Sequence, residues 1–386
     1  MKKRIAILGA TGSIGAQALD VIAQHPHCFE VEVLTAHRNV DLLVQQARQW
    51  EPNAVVVADE DLYLTVKQAL SRLPIKVFAG AKALAEVVTL PGVDIVLNAL
   101  VGISGLLPTL AAIKAHKTVA LANKETLVVA GSLIQSLMLQ NGGRLLPVDS
   151  EHSAIFQCLA GEISPVEKII LTASGGPFLH TPAAELSTVS PSQALQHPQW
   201  NMGAKVSIDS ATMMNKGFEV MEARWLFDVA PAQIEVLVHP QSVVHSLVQF
   251  ADGSLKAQLG VPDMRLPIAY ALSFPERLPL NSARFDFLQN GQLSFFAPDV
   301  QKFRCLQFAY DALRMGGVAG CTLNAANEVA VQAFLEQKIA FTRIPALLEQ
   351  CLAHCETIAQ PTLQDFLEVD SKVRREAQES VAASHS

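Results

Sequence analysis

The 386-residue sequence has no cysteine pair at a C-x-x-C spacing, no apolar run long enough to cross a bilayer, no internal repeat and no low-complexity tract. Its six cysteines, Cys28, Cys158, Cys305, Cys321, Cys351 and Cys355, are scattered. Cys351 and Cys355 stand four apart, a helical spacing, with no histidine where a zinc finger would need one. Buried, reduced thiols are expected, not a disulfide frame or zinc knuckle. The apolar run after Met1-Lys2-Lys3-Arg4 stops at Gly9, short of the ~7–15 residues of a signal-peptide core. No stretch reaches the ~18 apolar residues of a membrane span. Lysine and arginine number 29 against 36 acidic residues, for a net charge of −7. That leaves no general basic face for a nucleic-acid backbone, although a local pocket for a small phosphate stays possible. These absences predict a cytoplasmic protein with neither nucleic acid nor membrane as partner.

What is present is a chain that can fold. Half of its residues are apolar and 17% are charged, a balance that supports a sizeable core. Two or three domains are expected at ~100–200 residues each. Over residues 1–149, short β-rich runs at 4–8, 31–35, 54–58, 76–78, 94–100, 118–122 and 144–148 alternate with helical stretches such as 16–23 and 40–49. This alternation predicts βαβ units, a parallel sheet and ligands beyond the carboxyl ends of the strands. Beyond residue 150 the pattern changes to an α+β region. A strand at 168–172 leads into a lid-like loop, 174–203, rich in Gly, Pro, Ser and His. A helix is predicted over 210–227, then strands at 234–238, 243–250 and 254–258, the last two joined by the turn Ala251-Asp252-Gly253. Residues 276–301 read as a linker, 302–386 as a helical domain and 382–386 as a frayed tail.

The first strand runs into Gly9-Ala10-Thr11-Gly12-Ser13-Ile14-Gly15, a G-x-x-G-x-x-G variant of the dinucleotide fingerprint. Such glycines permit a tight turn and close approach of backbone to pyrophosphate, and the following helix aims free N–H groups at the phosphates. A strand before and a helix after supply the context that a lone glycine pattern lacks. The second strand ends in Ala36-His37-Arg38-Asn39. An NAD-selective site would place Asp or Glu there, whereas Arg38 suits a 2′-phosphate, so NADPH is the expected cofactor. The alternative is that Arg38 merely begins the next helix.

Asn123-Lys124-Glu125 closes another strand, where an amide and a cation can face the nicotinamide and a substrate hydroxyl. Asp149-Ser150-Glu151 follows the last strand of the first domain. In an extended chain those two carboxylates point the same way, and they repel unless a cation or proton lies between them. Oxygen ligands favour Mg²⁺ or Mn²⁺ over zinc. A solvated acidic turn is the plainer reading of that triplet. In the predicted helix at 210–227, Ala211, Met214, Phe218, Met221 and Trp225 form an apolar stripe, and Asn215, Lys216 and Glu219 lie opposite. Ser207, Asp209 and Ser210 at its amino end suit an anion. A phosphate held by Ser210, Asn215 and Lys216, with Glu219 as third metal ligand, is chemically coherent.

Taken together, the segments GATGSIG (9–15), AHRN (36–39), ANKE (122–125), VDSEH (148–152), TASGGPF (172–178), HPQWNMG (197–203), IDSATMMNKGFEVMEA (208–223), HPQSVVHS (239–246) and LNAANEVAV (323–331) resemble the 1-deoxy-D-xylulose 5-phosphate reductoisomerase family nearly end to end. The resemblance implies an N-terminal Rossmann-like domain, a central α+β catalytic domain over 150–275, a C-terminal helical domain and a homodimer. It implies conversion of 1-deoxyxylulose 5-phosphate, a small phosphorylated ketose, into 2-C-methylerythritol 4-phosphate by a retro-aldol and re-aldol rearrangement and hydride transfer from NADPH. By the same resemblance, metal ligands fall on Asp149, Glu151 and Glu219. NADPH contacts fall on Thr11, Gly12, Ser13, Ile14, Arg38, Asn39, Asn123, Glu125 and Gly203. Substrate contacts fall on Lys124, Ser150, Glu151, Ser174, His197, Ser210, Asn215, Lys216 and Glu219, with Lys124, Glu151 and His197 nearest the chemistry. Trp200 is expected to cover the substrate, or only to pack, and His239 and His245 are expected to be structural. The rival readings are a metal-independent NADPH dehydrogenase and a non-enzymatic NADPH sensor.

Overall fold

The computed structural model describes residues 2–383. The chain divides into two compact units. One comprises Met1–Thr126, Ile134–Ser153 and Asp263–Ser282, and the other Leu127–Leu133, Ala154–Pro262 and Ala283–Ser386.

The first unit is built on seven strands: β1 (Lys3–Leu8), β2 (Phe29–Ala36), β3 (Ala54–Val57), β4 (Lys76–Ala79), β5 (Ile95–Asn98), β6 (Thr118–Leu121) and β7 (Arg144–Pro147). They are ordered β4-β3-β2-β1-β5-β6-β7, and every pairing is parallel. Strands such as Ala54–Val57 and Ile95–Asn98 are buried along their whole length, as expected when helices cover both faces of a parallel sheet. The order reverses between β1 and β5, the place where an open sheet of this kind leaves a crevice beyond its strand ends.

The helix Arg265–Ser273 also belongs to this unit, although the sequence pattern assigned it to the second domain. It packs against Ser13–Gln24, Arg265 pairs with Asp20 at 3.1 Å, and Lys3 Nζ donates to the Leu272 carbonyl at 3.0 Å. These partners lie more than 240 residues away in sequence, so no local signal announces them.

The second unit carries the sheet β11-β10-β8-β9, made of β8 (Val166–Ala173), β9 (Ile234–Val238), β10 (Val244–Phe250) and β11 (Leu255–Leu259). β8 and β9 run parallel, and β10 is antiparallel to β8 and to β11. Helices Arg304–Met315, Ala319–Leu335, Arg343–Ala353 and Leu363–Ala383 form its C-terminal part. Residues 382 and 383 end the last helix, and the remainder of the expected tail lies outside the described residues.

Two local expectations are corrected. The loop at 174–203 is not structureless, since it holds a 3₁₀ turn at Ala183–Thr188 and a helical turn at Pro191–Ala194 with a Ser190/Gln193 capping box. The single helix expected over 210–227 is two, Ala204–Ala211 and Met214–Phe227. Met213 adopts a left-handed conformation, φ +60°, and the Thr212 hydroxyl donates to the Asp209 carbonyl at 3.1 Å and accepts from Met214 N at 3.3 Å. A side chain that offers the backbone this alternative ends one helix and starts the next.

Candidate active site

Every sequence-predicted residue of the first unit lies at the carboxyl edge of its sheet. After β1, Gly9 turns with φ +83°, and a Cβ there would sit 2.7 Å from the Ala99 carbonyl. A Cβ on Gly15 would stand 2.3 Å from the Gly9 carbonyl and 2.5 Å from Ala10 Cα, so helix Ser13–Gln24 can approach the turn this closely only with glycine. Gly9 N donates to Thr35 Oγ1 at 2.9 Å and Ala10 N to the Thr35 carbonyl at 2.8 Å. The buried Gln46 holds the Ala10 carbonyl through Nε2 at 3.0 Å. Thr11, Gly12, Ser13 and Ile14 are left partly or fully exposed, and the first turn of the helix carries no acidic residue. This cradle fits a pyrophosphate.

After β2, Arg38 extends into solvent and its Nε donates to Asp59 Oδ2 at 2.7 Å. Asn39 caps helix Val40–Trp50 by accepting from Leu42 N at 3.3 Å. Asn123, expected at the cofactor, is buried. Its amide nitrogen donates to the carbonyls of Leu100 at 2.9 Å and Gly102 at 3.0 Å, and its oxygen accepts from Thr126 N at 3.0 Å. The side chain is spent joining the ends of β5 and β6. Glu125, buried, opens helix Glu125–Asn141 and accepts from Asn123 at 3.2 Å.

Beyond β7 the backbone is not extended. Helix Ser150–Leu159 begins at once, and Asp149 Oδ1 accepts from Glu151 N at 3.2 Å, as a capping carboxylate does. Asp149 and Glu151 place carboxylate oxygens within 4.8 Å of each other, and the Ser150 hydroxyl donates to Glu151 Oε2 at 2.6 Å. Lys124 Nζ meets Asp149 Oδ2 at 2.5 Å, with buried His152 3.5 Å from Oδ1. Burial would push the Asp149 carboxyl up. The Lys124 ammonium and His152 outweigh it and hold that carboxyl well below its ordinary range. An ionised carboxylate, a second one beside it and a hard-oxygen donor set fit a divalent ion of the magnesium type.

In the second unit, Ser174 follows β8, and its Oγ lies 2.8 Å from His197 Nε2. His197 Nδ1 accepts from Gln199 N at 3.2 Å and Trp200 N at 2.9 Å, so the ring proton belongs on Nε2 and is donated to Ser174. Ser174 Oγ also accepts from Gly176 N at 3.1 Å, which turns the serine's own proton outward. Burial lowers the His197 pKa to about 4. Gly176, at φ +67°, leaves no room for a Cβ, which would be 2.6 Å from the Ser210 carbonyl.

Asn215 and Lys216 both donate to the Glu219 carboxylate, and Lys216 and Glu219 are buried, not on the solvated face that an average helix would offer. Ser210 therefore closes one helix while Asn215 and Lys216 open the next. The expected single amino end at Ser207–Ser210 is replaced by this junction. Gly203 caps helix Ala204–Ala211 with open space around it. His239 is structural as expected. Its Nδ1 lies 2.9 Å from the Ser294 carbonyl, its Nε2 accepts from Val243 and Val244, and the ring stacks on Phe295 at 4.6 Å. His245 is buried, 6.2 Å from Trp200 between ring centroids.

Several supporting residues carried no sequence signal: Thr35, Gln46 and Asp59 around the ends of β1 and β2, and Asn327, which donates to the buried Asp209 at 2.7 Å. Asn327 lies in the segment 323–331 singled out above, but nothing there indicated its partner.

Three family models match the chain. One described as 1-deoxy-D-xylulose 5-phosphate reductoisomerase covers residues 5–131, its C-terminal domain 145–227, and a DXP reductoisomerase C-terminal domain 259–376. The chain is 57% identical to the 1-deoxy-D-xylulose 5-phosphate reductoisomerase of Porphyromonas gingivalis and 56% identical to that of Bacteroides fragilis, in each case over 98% of both sequences. Among solved structures, the Zymomonas mobilis reductoisomerase in complex with NADPH matches with 44% identity and a TM-score of 0.92 over 99% of both chains. A DOX-P reductoisomerase in complex with NADPH, fosmidomycin and magnesium matches with 42% identity and a TM-score of 0.95 over 98% of both.

Proposed function

This chain belongs to the 1-deoxy-D-xylulose 5-phosphate reductoisomerase family, and from that premise we propose which of its residues carry the reaction. The activity is the NADPH- and divalent-metal-dependent conversion of 1-deoxy-D-xylulose 5-phosphate to 2-C-methyl-D-erythritol 4-phosphate, a step of non-mevalonate isoprenoid biosynthesis.

Asp149, Glu151 and Glu219 are the metal ligands, Mg²⁺ and Mn²⁺ being equally suited to an all-carboxylate set. A divalent ion bound there supplies Lewis-acid polarisation of the substrate's ketone and neighbouring hydroxyl, and NADPH supplies the hydride. The protein's own side chains do the rest. Lys124, its ammonium held against Asp149 at 2.5 Å, donates hydrogen bonds to substrate oxygens and positions their protons. Ser150 keeps Glu151 oriented. Ser174, His197, Ser210, Asn215 and Lys216 grip the phosphate, which gives binding energy remote from the reacting carbons. With its pKa lowered to about 4, His197 is neutral at physiological pH and gives its Nε2–H to Ser174, which leaves the serine hydroxyl proton for the phosphate. Trp200 excludes water above the sugar. Thr11 to Ile14, Arg38 and Asn39 hold NADPH at its phosphate end. Asn123 serves the nicotinamide end indirectly, through the loop at 100–102 that its side chain fixes, with Glu125 and Gly203 completing that end.

The observation that carries the reading is the pair of buried Lys124 and half-buried Asp149, with Glu151 beside it, at the same sheet edge as the glycine turn. The homodimer reading is supported by β11, an outer strand of its sheet whose Leu255 is 54% exposed, a feature that invites pairing with a second copy. Six free thiols suit the cytoplasm. No helix among the described residues is long and apolar enough to cross a membrane.

The test is NADPH oxidation with 1-deoxyxylulose 5-phosphate, with and without chelator. Turnover should vanish in chelator and return with Mg²⁺ or Mn²⁺. Undiminished turnover in chelator would favour the metal-independent dehydrogenase, and NADPH binding with no turnover would favour the sensor.

A further inference from the structure

We propose that Asp59 is a positioning residue for cofactor specificity: it fixes the Arg38 guanidinium in the orientation that receives the 2′-phosphate of NADPH. This rests on the assignment of Arg38 to that phosphate.

The two side chains meet across neighbouring strand ends. Asp59 stands two residues beyond β3 and Arg38 two beyond β2, and these strands pair in parallel. The ladder continues past them, with Ala58 N donating to the Ala36 carbonyl at 2.8 Å and Asp59 N to the His37 carbonyl at 3.3 Å. The aspartate is therefore fixed by the sheet. One of its oxygens is also fixed, since Oδ1 accepts from Asp61 N at 3.1 Å and caps the 3₁₀ turn Glu60–Leu62. The other oxygen, Oδ2, takes the Arg38 Nε–H at 2.7 Å.

The arginine side chain is 74% exposed and the aspartate only 14%. An ion pair whose cation stands in water contributes little to folding, because the arginine charge is already solvated and salt screens it. Stability thus gives no reason for it. Preorganisation does. A long exposed arginine ordered only on binding loses rotamer freedom at that moment. Here Nε is already engaged and the guanidinium plane is constrained, while neither Nη makes a hydrogen bond among the described residues. The Nη1/Nη2 edge of a guanidinium is the fork that matches a phosphate, and it is left available on this exposed side chain. A carboxylate beside the 2′-phosphate would by itself repel it. That cost is offset only while Arg38 stands between the two, so the loss on removing Asp59 should disappear or reverse when Arg38 is absent.

The experiment compares Asp59→Asn, Arg38→Ala and the double variant with the wild-type enzyme. Asparagine keeps the cap on the Glu60–Leu62 turn and removes the charge. The readouts are KM and kcat with NADPH and with NADH, and the inhibition constants of adenosine 2′,5′-bisphosphate and 5′-AMP. Asp59→Asn should raise the NADPH KM and the bisphosphate constant about three- to tenfold, the scale of one immobilised side chain, with kcat, the NADH KM and the 5′-AMP constant unchanged. In the Arg38→Ala background the same substitution should leave NADPH affinity unchanged or improved. Equal losses with both cofactors would mean a merely structural role and overturn the inference. So would unchanged discrimination in Asp59→Asn while Arg38→Ala lost it, which leaves the Arg38 assignment standing. Unchanged discrimination in both single variants would overturn the inference and that assignment together.

Discussion

The turn at 9–15 and the segment 174–219, the two stretches to which phosphate binding is assigned, are built by opposite means. The first is backbone. Its form follows from glycines that a Cβ would fill, with the closest approach 2.3 Å at Gly15, and from a neighbouring strand that accepts its N–H groups. The second is side chain. Ser174 is set by His197, His197 by the N–H groups of Gln199 and Trp200, and Lys216 and Asn215 by Glu219. A backbone site tolerates changes of charge and fails on volume. A side-chain site should do the reverse.

The largest expected effect tests the side-chain half. Glu219→Gln keeps the shape and removes the charge. Turnover at saturating Mn²⁺ should fall more than about 100-fold, beyond the ~10–100-fold typical of residues one shell further out, with NADPH affinity unchanged. Lys216 also loses its buried partner carboxylate, so the thermal midpoint should fall. Activity near wild type, normalised to folded protein, would remove Glu219 from the ligand set.

Gly15→Ala tests the backbone half by volume alone. One methyl placed 2.5 Å from Ala10 Cα cannot be accommodated without moving the helix from the turn. A loss of about 1–3 kcal/mol in unfolding free energy is expected, with weaker NADPH binding and unchanged metal affinity. Wild-type stability in a denaturant titration would contradict the packing argument.

The same contrast explains what could be read in advance. All seven strands of the first unit and the glycine turn were legible, because short apolar runs between helical stretches and glycines at fixed spacing are local properties. The residue types of the second half were legible too, but not their arrangement. Nothing local marks Met213 as the point where one helix becomes two. Nor does it mark Asn123 as a residue spent inside the protein, or helix Arg265–Ser273 as part of the first unit through Asp20 and Lys3. Asp149 and Glu151 do lie close, but at a helix start, not along a strand, because the Asp149 carboxylate caps the helix that follows.

His197 gives a smaller effect with a definite sign. Its folded pKa, about 4, lies below the ~6.5 of an unfolded histidine. Between those values the unfolded chain binds the extra proton. Stability therefore rises with pH across that window and is lost as pH falls from about 6.5 toward 4. The urea midpoint of the wild type should decline faster than that of His197→Gln over this range, and the two should run parallel above pH 7. Parallel curves throughout would mean the ring is solvated, and the chain of hydrogen bonds from Trp200 N to Ser174 would lose its basis.

The smallest effect separates fold from ligand most cleanly. Gly203 has φ −60° and ψ 154°, a conformation any residue adopts, and a Cβ there meets nothing within 4 Å. Alanine restricts the unfolded chain, which favours the variant by a few tenths of a kcal/mol up to about 1. Alanine is also a poorer amino-terminal cap than glycine, and the two should cancel to within about 0.5 kcal/mol. No protein atom resists the methyl group, so any change in NADPH affinity at Gly203→Ala must come from the cofactor itself. A loss of tenfold or more at unchanged stability would mean that the nicotinamide end passes within van der Waals reach of this position. Affinity within about twofold would leave Gly203 a contact through its backbone alone, the mode of the turn at 9–15 recurring inside the side-chain half of the site.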